Sequence, residues 1–242
     1  MELKCLGTGS KGNCYLLKSR NDVLILDCGI SFDKIIVDDF IGDVHNIKAC
    51  LITHSHKDHN LAEKQMKLSC IKVISYNNIN QKRYYIGNFE IMPFSVYHDV
   101  KCYGFLIRDL ITHKIVCYAT DTFKLPPIRN VDYWLVECNY CEEELQKRLS
   151  YDMANYTLIE RLRRTHMGDE FLIDYFKSNR IEPKYMLLLH RSNSGHYNSE
   201  IVINKLNKLC GFVEDIKKDK VYMLGVTNRE QFETSESDRV EE

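Results

Sequence analysis

The sequence predicts a layered α/β protein in which helices cover β-sheets. Apolar runs of strand length recur along the chain, and segments rich in helix formers alternate with them in its later part. The composition, with 44% hydrophobic residues, 4 prolines and 11 glycines in 242 residues, is that of a globular protein. Because strands come first and helices are interleaved only later, sheets flanked by helices are favoured over a doubly wound parallel sheet.

The individual elements follow from this pattern. A glycine-rich segment, residues 7–13, separates the first two apolar runs, which indicates a β-meander at the N-terminus. Ser31 can cap a helix that begins at Phe32. The predicted strands cover residues 2–6, 14–18, 23–26, 49–53, 89–96, 103–108, 115–119, 133–136, 185–189 and 221–224. The later predicted helices cover residues 61–68, 142–149, 155–164, 169–178 and 199–209.

Charge and composition restrict the class of protein. The sum of 33 Lys and Arg against 34 Asp and Glu leaves no whole-molecule field that would attract nucleic acid or an anionic membrane. No apolar run approaches the ~18 residues of a membrane span, and the N-terminus does not resemble a signal peptide, so we expect a cytoplasmic protein with reduced cysteines. One domain over residues 1–230 is expected, followed by a disordered acidic tail, 231–242.

A cluster of potential metal ligands follows the predicted strand 49–53. The segment 54–59 reads His-Ser-His-Lys-Asp-His and offers three imidazoles and a carboxylate. Such groups are costly to desolvate together unless a divalent metal satisfies them, so a metal site is favoured over an exposed polar loop. Adjacent side chains in a turn point in different directions, so Asp58 and His59 are expected to serve a second ion.

Further ligands are predicted where other strands end. His98, Asp121 and His190 each follow an apolar run, at the position where neighbouring strands bring side chains to one sheet edge. His196 is a competing ligand, but it lies in a loop rich in Ser, Asn and Gly. The pair Cys138 and Cys141 is the only C-x-x-C motif, and a structural zinc site would need a second pair.

Taken together, these motifs resemble those of the metallo-β-lactamase fold, an αββα four-layer sandwich. The resemblance is carried by Asp27 in segment 24–29, the run 54–59, His98, Asp121 within Thr-Asp-Thr, and His190. Segments 9–16, 98–99, 118–122, 136–140 and 189–194 are similar to the small single-domain YycJ or WalJ-type branch, which includes DNA exonucleases and is related to tRNase Z. The chain departs from that branch at residues 165–168, where Thr-His-Met-Gly replaces the more usual Gly-His-Leu-Ser.

The resemblance implies a role for each site residue. One metal would be held by His54, His56 and His98, a second by Asp58, His59 and His190, and Asp121 would bridge them. Zinc is the expected ion, with manganese or iron as alternatives, because His and Asp ligands accept all three. Asp27 would orient the metal loop, residues 54–59. The predicted catalytic residues are Asp58, His166, which would protonate the leaving alkoxide, and Glu137 as the partner of His166.

Substrate contacts are predicted at two places. Ser10 and Asn13 lie in a glycine-rich turn that could expose amides to an anion, although a tight hairpin explains them equally well. Ser192 and Asn193 follow His190. A basic cluster could follow a phosphate backbone, although a solvated helix face is the more common explanation. That cluster comprises Lys147, Arg148, Arg161, Arg163 and Arg164.

The predicted function is a metal-dependent phosphodiesterase, specifically a nuclease similar to DNA exonucleases, in which a hydroxide shared by two metals attacks phosphorus. Asp at the bridging position argues against a β-lactam substrate, since lactamases of the fold usually have Cys or Ser there. The short spacings between His98, Asp121 and His190 leave no room for the inserted arm or domain of larger relatives. The alternatives are a cyclic-nucleotide or other small phosphodiesterase and a non-catalytic binding module. Expected partners are nucleic acid or nucleotides and no membrane, with the oligomeric state open.

Overall fold

The computed structural model describes residues 1–151, 156–192 and 195–225. The described strands are β1 Glu2–Gly7, β2 Cys14–Ser19, β3 Asp22–Leu26, β4 Ile47–Ile52, β5 Val73–Ser75, β6 Tyr84–Ile86, β7 Phe89–Val96, β8 Cys102–Asp109, β9 Ile115–Ala119, β10 Tyr133–Glu137, β11 Tyr185–Leu189, β12 Phe212–Asp215 and β13 Val221–Met223. The described α-helices are α1 Phe32–Ile36, α2 Lys57–Asn60, α3 Glu63–Leu68, α4 Glu142–Tyr151, α5 Tyr156–Thr165, α6 Asp169–Ser178 and α7 Ser199–Leu206, and a 3-10 helix covers Val44–Asn46.

The strands form two mixed sheets. The first has the order β13-β1-β2-β3-β4-β5, and the second has the order β12-β11-β10-β9-β8-β7-β6. Strands β3, β4 and β5 pair in parallel, as do β9, β10, β11 and β12, while the remaining pairs are antiparallel. The carboxyl ends of the parallel strands therefore meet at one edge of each sheet.

The two sheets pack face to face, and helices cover their outer faces. Alternation along β3 shows the layers: Leu24 and Leu26 belong to the core between the sheets, whereas Val23 and Ile25 belong to a second core under α1 and α3. A third core lies between the second sheet and helices α6 and α7. Sheets buried on both faces read as continuous apolar runs, which explains why the sequence shows strand-length runs without clear alternation.

The predicted αββα sandwich is confirmed. The structure adds three short strands that the sequence pattern did not indicate, β5, β6 and β12. The predicted helix 61–68 corresponds to α3, which begins two residues later at Glu63, and the short helix α2 precedes it. Helix α7 ends at Leu206, three residues before the predicted end. Within the described residues, no helix is both long enough and apolar enough to cross a membrane. The predicted tail, 231–242, lies outside the described residues.

Candidate metal centre

The predicted ligands lie together at one edge of the sandwich. His54 follows β4 of the first sheet, whereas His98, Asp121 and His190 follow β7, β9 and β11 of the second sheet. The run 54–59 continues from β4 into α2, for which His56 is the N-cap residue. Ligand atoms from both sheets therefore converge on one site.

One group of four side chains consists of His54, His56, His98 and Asp121. One nitrogen or oxygen atom from each lies within 4.8 Å of the others, a spacing that could hold a metal ion. His56 Nδ1 lies 3.1 Å from His54 Nε2 and 3.4 Å from His98 Nε2. Asp121 Oδ2 lies 3.6 Å from His54 Nε2.

A second group consists of Asp58, His59, Asp121 and His190, with ligand atoms again within 4.8 Å of one another. His59 Nε2 lies 3.3 Å from Asp121 Oδ2 and 3.6 Å from Asp58 Oδ2. The same oxygen of Asp121 thus faces imidazoles of both groups. The side-chain sets are those that the sequence analysis expected around two metals sharing Asp121.

The backbone at three site residues adopts a sparsely populated conformation. Asp27, Asp121 and His190 have φ angles of 55°, 49° and 48°, in the left-handed region that non-glycine residues rarely adopt. Each of the three follows a buried strand, so the left-handed residue turns the chain where the strand ends. Local strain of this kind concentrates at functional sites.

Asp27 contacts its neighbours rather than the cavity. Its Oδ2 accepts hydrogen bonds from Tyr118 Oη (2.6 Å) and from His59 Nδ1 (2.7 Å). Its Oδ1 accepts one from the backbone nitrogen of Thr53 (2.8 Å). Because Nδ1 bonds to Asp27, Nε2 is the His59 atom that would give up its proton to a metal, and it faces Asp58 and Asp121. Carboxylates that orient a metal-binding imidazole make this contact.

His98 is oriented in a similar way by the backbone. Its Nδ1 lies 3.0 Å from the carbonyl oxygen of Thr165, at the end of α5, and donates to it. Its Nε2 is therefore the unprotonated atom in the neutral ring, and it faces His56. Asp99 Oδ1 lies 3.1 Å from the same nitrogen.

Burial and charge shift the pKa values across the cluster. Burial, reinforced by neighbouring His59, lowers the pKa of His54, and burial also lowers that of His98, so both rings are neutral near pH 7. Burial acts the same way on His190, but Asp121 and Asp58 outweigh it and raise the pKa of His190 to about 10. Although burial opposes it, the charge of His190 and His59 holds the pKa of Asp121 well below its usual range. The carboxylates therefore present stable negative charge.

The donor set fits divalent metal. His190 Nε2 is buried and has no hydrogen-bond partner among the described residues. An orphaned buried nitrogen is costly, and a divalent metal that displaces its proton would satisfy it. Neutral imidazole and carboxylate are ligands for zinc and related divalent ions. The His/Asp cluster is thus able to hold metal.

Glu137 and His166 extend the cluster on one side. Glu137 is fully buried, and its Oε1 lies 2.5 Å from His166 Nδ1 and 3.2 Å from His190 Nδ1. Burial lowers the pKa of His166, but the charge of Glu137 outweighs it and raises that pKa above its ordinary value. Both residues join Asp121 and His190 in a further group with ligand atoms within 4.8 Å.

A cavity of about 270 Å³ opens over the cluster. Its wall includes Ser10 from the glycine-rich turn, and Arg161 and Thr165 from α5. The described residues that line it are Ser10, His56, Asp58, His98, Asp99, Asp121, Leu158, Arg161, Leu162, Thr165, His166 and His190.

Some residues singled out in the sequence lie elsewhere. Asn13 is fully buried, and its amide bonds to Gly9 and reaches His59 Nε2 (2.9 Å), so it fixes the turn behind the cavity. Ser192 donates its backbone N–H to the carbonyl of Asn139, and Asn193 lies outside the described residues. His196 lies beside Arg148, away from both groups. Cys138 and Cys141 are buried thiols.

Four residues that contact the cluster have no role assigned from the sequence, namely Thr53, Asp99, Tyr118 and Asn139. Thr53 and Tyr118 donate to Asp27, and Asn139 donates through Nδ2 to the carbonyl of His190 at 2.9 Å. Asp99 directly follows a predicted ligand, which was a local signal for a place in the site. The other three lie in or beside buried strands, where their side chains look like ordinary core residues.

Comparison with solved structures identifies the fold. The chain is similar to the metallo-β-lactamase fold protein YhfI from Bacillus subtilis, with a TM-score of 0.67, 17% identity, and coverage of 91% of this chain and 98% of that one. It is similar to the short form of human tRNase Z, with a TM-score of 0.61, 13% identity, and coverage of 93% and 100%. It is also similar to unliganded yeast PDE1, with a TM-score of 0.62, 12% identity, and coverage of 91% and 98%.

These likenesses establish the metallo-β-lactamase fold for this chain. No model of a protein family matches the sequence, and no curated protein matches it.

Proposed function

We propose that this protein is a metal-dependent phosphodiesterase that acts as a nuclease of the small, exonuclease-like YycJ type. The observation that carries the proposal is the pair of His/Asp groups that share Asp121. Two divalent ions held in this way would activate water and neutralise charge on the phosphoryl oxygens. Among proteins with this fold, the human structure is named a tRNase, which agrees with a phosphodiester substrate.

The chain's own residues supply the remaining parts. His54, His56 and His98 would hold one ion, Asp58, His59 and His190 the other, and Asp121 would contact both. His166 lines the cavity, and its Nδ1 is bonded to Glu137, which leaves its Nε2 as the atom available to the leaving oxygen. In this proposal His166 donates a proton to that oxygen, Glu137 orients the ring, and Ser10 contacts a phosphoryl oxygen.

A small diester is the alternative substrate. The cavity over the cluster, about 270 Å³, lies near the lower end of the range for pockets that enclose a small ligand. A cyclic nucleotide would place its phosphate at the same ions. Comparing the hydrolysis of a nucleic-acid strand with that of a cyclic nucleotide therefore distinguishes the two proposed substrates.

The test removes one residue from each metal group. His56→Ala and Asp58→Ala both truncate partly exposed side chains, so the fold should persist, which circular dichroism would check. We expect each variant to lose bound metal and hydrolysis of bis(p-nitrophenyl) phosphate, DNA strands and cyclic nucleotides. The matched control is His45→Ala, an exposed histidine outside the cluster. Unchanged turnover in either cluster variant would refute the site.

A further inference from the structure

Helix α5 presents one face to the cavity over the metal cluster. Leu158, Arg161, Leu162 and Thr165 line that cavity, and their spacing of three to four residues places them on the same face of the helix. The adjacent face carries the buried Ile159, which packs in one cluster with Leu145 of helix α4. Arg161 therefore lies on the wall of the cavity because it belongs to the face of the helix that points there.

Arg161 differs from the other arginines of this helix in its partners. Arg163 pairs with Glu142 and with Glu160, and Arg164 lies 3.9 Å from Glu160. The guanidinium of Arg161 has no hydrogen bond or ion pair to any residue that the structure describes. Of the predicted basic cluster, this one side chain thus combines an unpaired charge with a place in the cavity.

The charges that line the cavity indicate which kind of ligand Arg161 could bind. Among the described residues that line the cavity, Arg161 is the single lysine or arginine. Asp58, Asp99 and Asp121 also line it, and their charges offset much of the charge of two divalent ions. A substrate with an additional anionic group beyond the reacting phosphate needs a further cation, and a guanidinium is well suited to phosphate.

A second cavity continues from the first on the far side of Arg161. It measures about 490 Å³ and shares Asp99, Arg161 and Thr165 with the metal cavity. Its other walls include Arg164 and the exposed ring of Tyr156. Asp99 and Glu160 also line this cavity, and Glu160 lies beside Arg164, so Arg161 is the arginine of this cavity without a partner among the described residues. An arginine next to an exposed aromatic ring can hold one nucleotide of a single strand through its phosphate and its base.

We propose that Arg161 is a specificity-determining residue that binds a second phosphate of the substrate, next to the reacting one, with Tyr156 beside the attached base. This inference rests on the proposed phosphodiesterase function and narrows its substrate to a chain with at least two successive phosphates. Cyclic mononucleotides lack the second phosphate and gain nothing from Arg161.

The test compares one-phosphate and many-phosphate substrates. Arg161→Ala should lower kcat/KM for a short thymidine oligonucleotide about tenfold or more relative to kcat/KM for bis(p-nitrophenyl) phosphate, mainly through KM. Arg161→Lys keeps the charge without the planar fork and should restore part of the loss. The matched control is Arg129→Ala, an exposed arginine just before the start of β10, at the opposite edge of the sheet.

A binding measurement separates this inference from the proposed activity. Fluorescence anisotropy with a labelled thymidine oligonucleotide, on protein treated with a chelator, should show weaker binding for Arg161→Ala and a salt dependence reduced by about one counterion. Equal binding by wild type and Arg161→Ala, or an equal loss on both substrates, would overturn the role of Arg161. If wild type hydrolyses no diester while Arg161→Ala loses oligonucleotide binding, the proposed activity fails and the phosphate contact stands.

Discussion

At the scale of single residues, Asp27 holds the metal loop in position. Its carboxylate accepts hydrogen bonds from Thr53, His59 and Tyr118, which belong to both sheets. An asparagine has the same shape but replaces one acceptor oxygen with an NH2 group, which faces donors and cannot accept from them. His59 and Tyr118 both donate to Oδ2 and the Thr53 backbone donates to Oδ1, so the NH2 group leaves either the first two or Thr53 without an acceptor.

Asp27→Asn should therefore weaken metal binding without removing any proposed ligand. Residues that orient metal ligands typically contribute 10- to 100-fold in affinity, so we expect a decrease of about that size in zinc affinity at neutral pH. Competition titration with a chromogenic chelator measures it. Asp33→Asn, at an exposed position in α1, is the control and should bind zinc as wild type does. Equal affinity in both variants would show that Asp27 does not orient His59.

The sequence pattern indicated the candidate ligands that follow strands, but not the residues whose hydrogen bonds hold those ligands in position. His98, Asp121 and His190 are visible because each polar side chain directly follows an apolar run. The contact of Tyr118 with Asp27 could not be predicted, because Tyr118 lies within such a run and is 91 residues from Asp27 in the sequence. Supporting contacts of this kind depend on how the two sheets face each other, which local patterns do not encode.

At the scale of elements, the turn after β3 packs against the metal loop at Gly29. A Cβ added to Gly29 would lie 1.7 Å from the carbonyl oxygen of Asp58 and 2.8 Å from the backbone nitrogen of Asn13. Both atoms belong to backbone, so relief requires the metal loop or the glycine-rich turn to move. Only glycine permits this close approach.

Gly29→Ala should displace Asp58 and destabilise the protein by about 1–3 kcal/mol, the usual cost of overpacking. Thermal unfolding and zinc titration would show a lower Tm together with weaker metal binding. Gly42→Ala provides the comparison, because its Cβ has room but its φ of 71° is strained for alanine. That control should lose stability and keep its zinc affinity. Wild-type zinc affinity in Gly29→Ala would argue against the coupling.

Asp109 joins the two sheets at a distance from the metal cluster. This buried carboxylate at the end of β8 accepts hydrogen bonds from Ser19 of β2 (2.7 Å), Thr112 (2.6 Å) and the Ile111 backbone (3.1 Å). Burial raises the pKa of Asp109, but these hydrogen bonds outweigh it and bring the pKa below the ordinary value. A folded-state pKa below the unfolded one stabilises the fold above the unfolded pKa, and the contribution is lost as pH falls through the folded pKa.

Asp109→Asn should therefore destabilise the protein by about 1–3 kcal/mol at pH 7 and by less near pH 3, which lies below the ordinary pKa of ~3.9 that the carboxyl has in the unfolded chain. Urea denaturation at the two pH values measures the difference. Asp39→Asn, at an exposed turn, should change little at either pH. If the destabilisation is the same at both pH values, the hydrogen bonds do not favour the ionised form of Asp109.

Most of the strands that the sequence predicted are long and buried, and the three-residue edge strand β13 is the exception. Strands such as β7 and β8 contain eight residues each and read as apolar runs. Strands β5, β6 and β12 contain only three or four residues, and all three lie at edges of the sheets. Short edge strands carry little apolar signal, because one side of the strand is unpaired and polar residues are favoured there. Their pairing is decided by the neighbouring strand.

At the scale of the whole molecule, the candidate metal centre joins the two sheets. His54 and Asp58 extend from the first sheet, while His98, Asp121 and His190 extend from the second. Ions bound to both sets would cross-link the two halves of the sandwich at one edge. Ligands scattered over the unfolded chain bind metal weakly, so binding energy appears as folding stability.

Metal should consequently raise the thermal stability of the wild-type protein. A ligand at 100 times its Kd adds about 2.7 kcal/mol, which for a chain of this size corresponds to roughly 5–10 °C in Tm. Differential scanning calorimetry with zinc and with a chelator measures the shift. Asp121→Ala removes the residue shared by both groups and should unfold at nearly the same temperature in the two conditions, whereas His45→Ala should retain the full shift. An equal shift in Asp121→Ala would show that the metal-dependent stability does not need the carboxylate shared by the two groups, which would contradict the role proposed for Asp121.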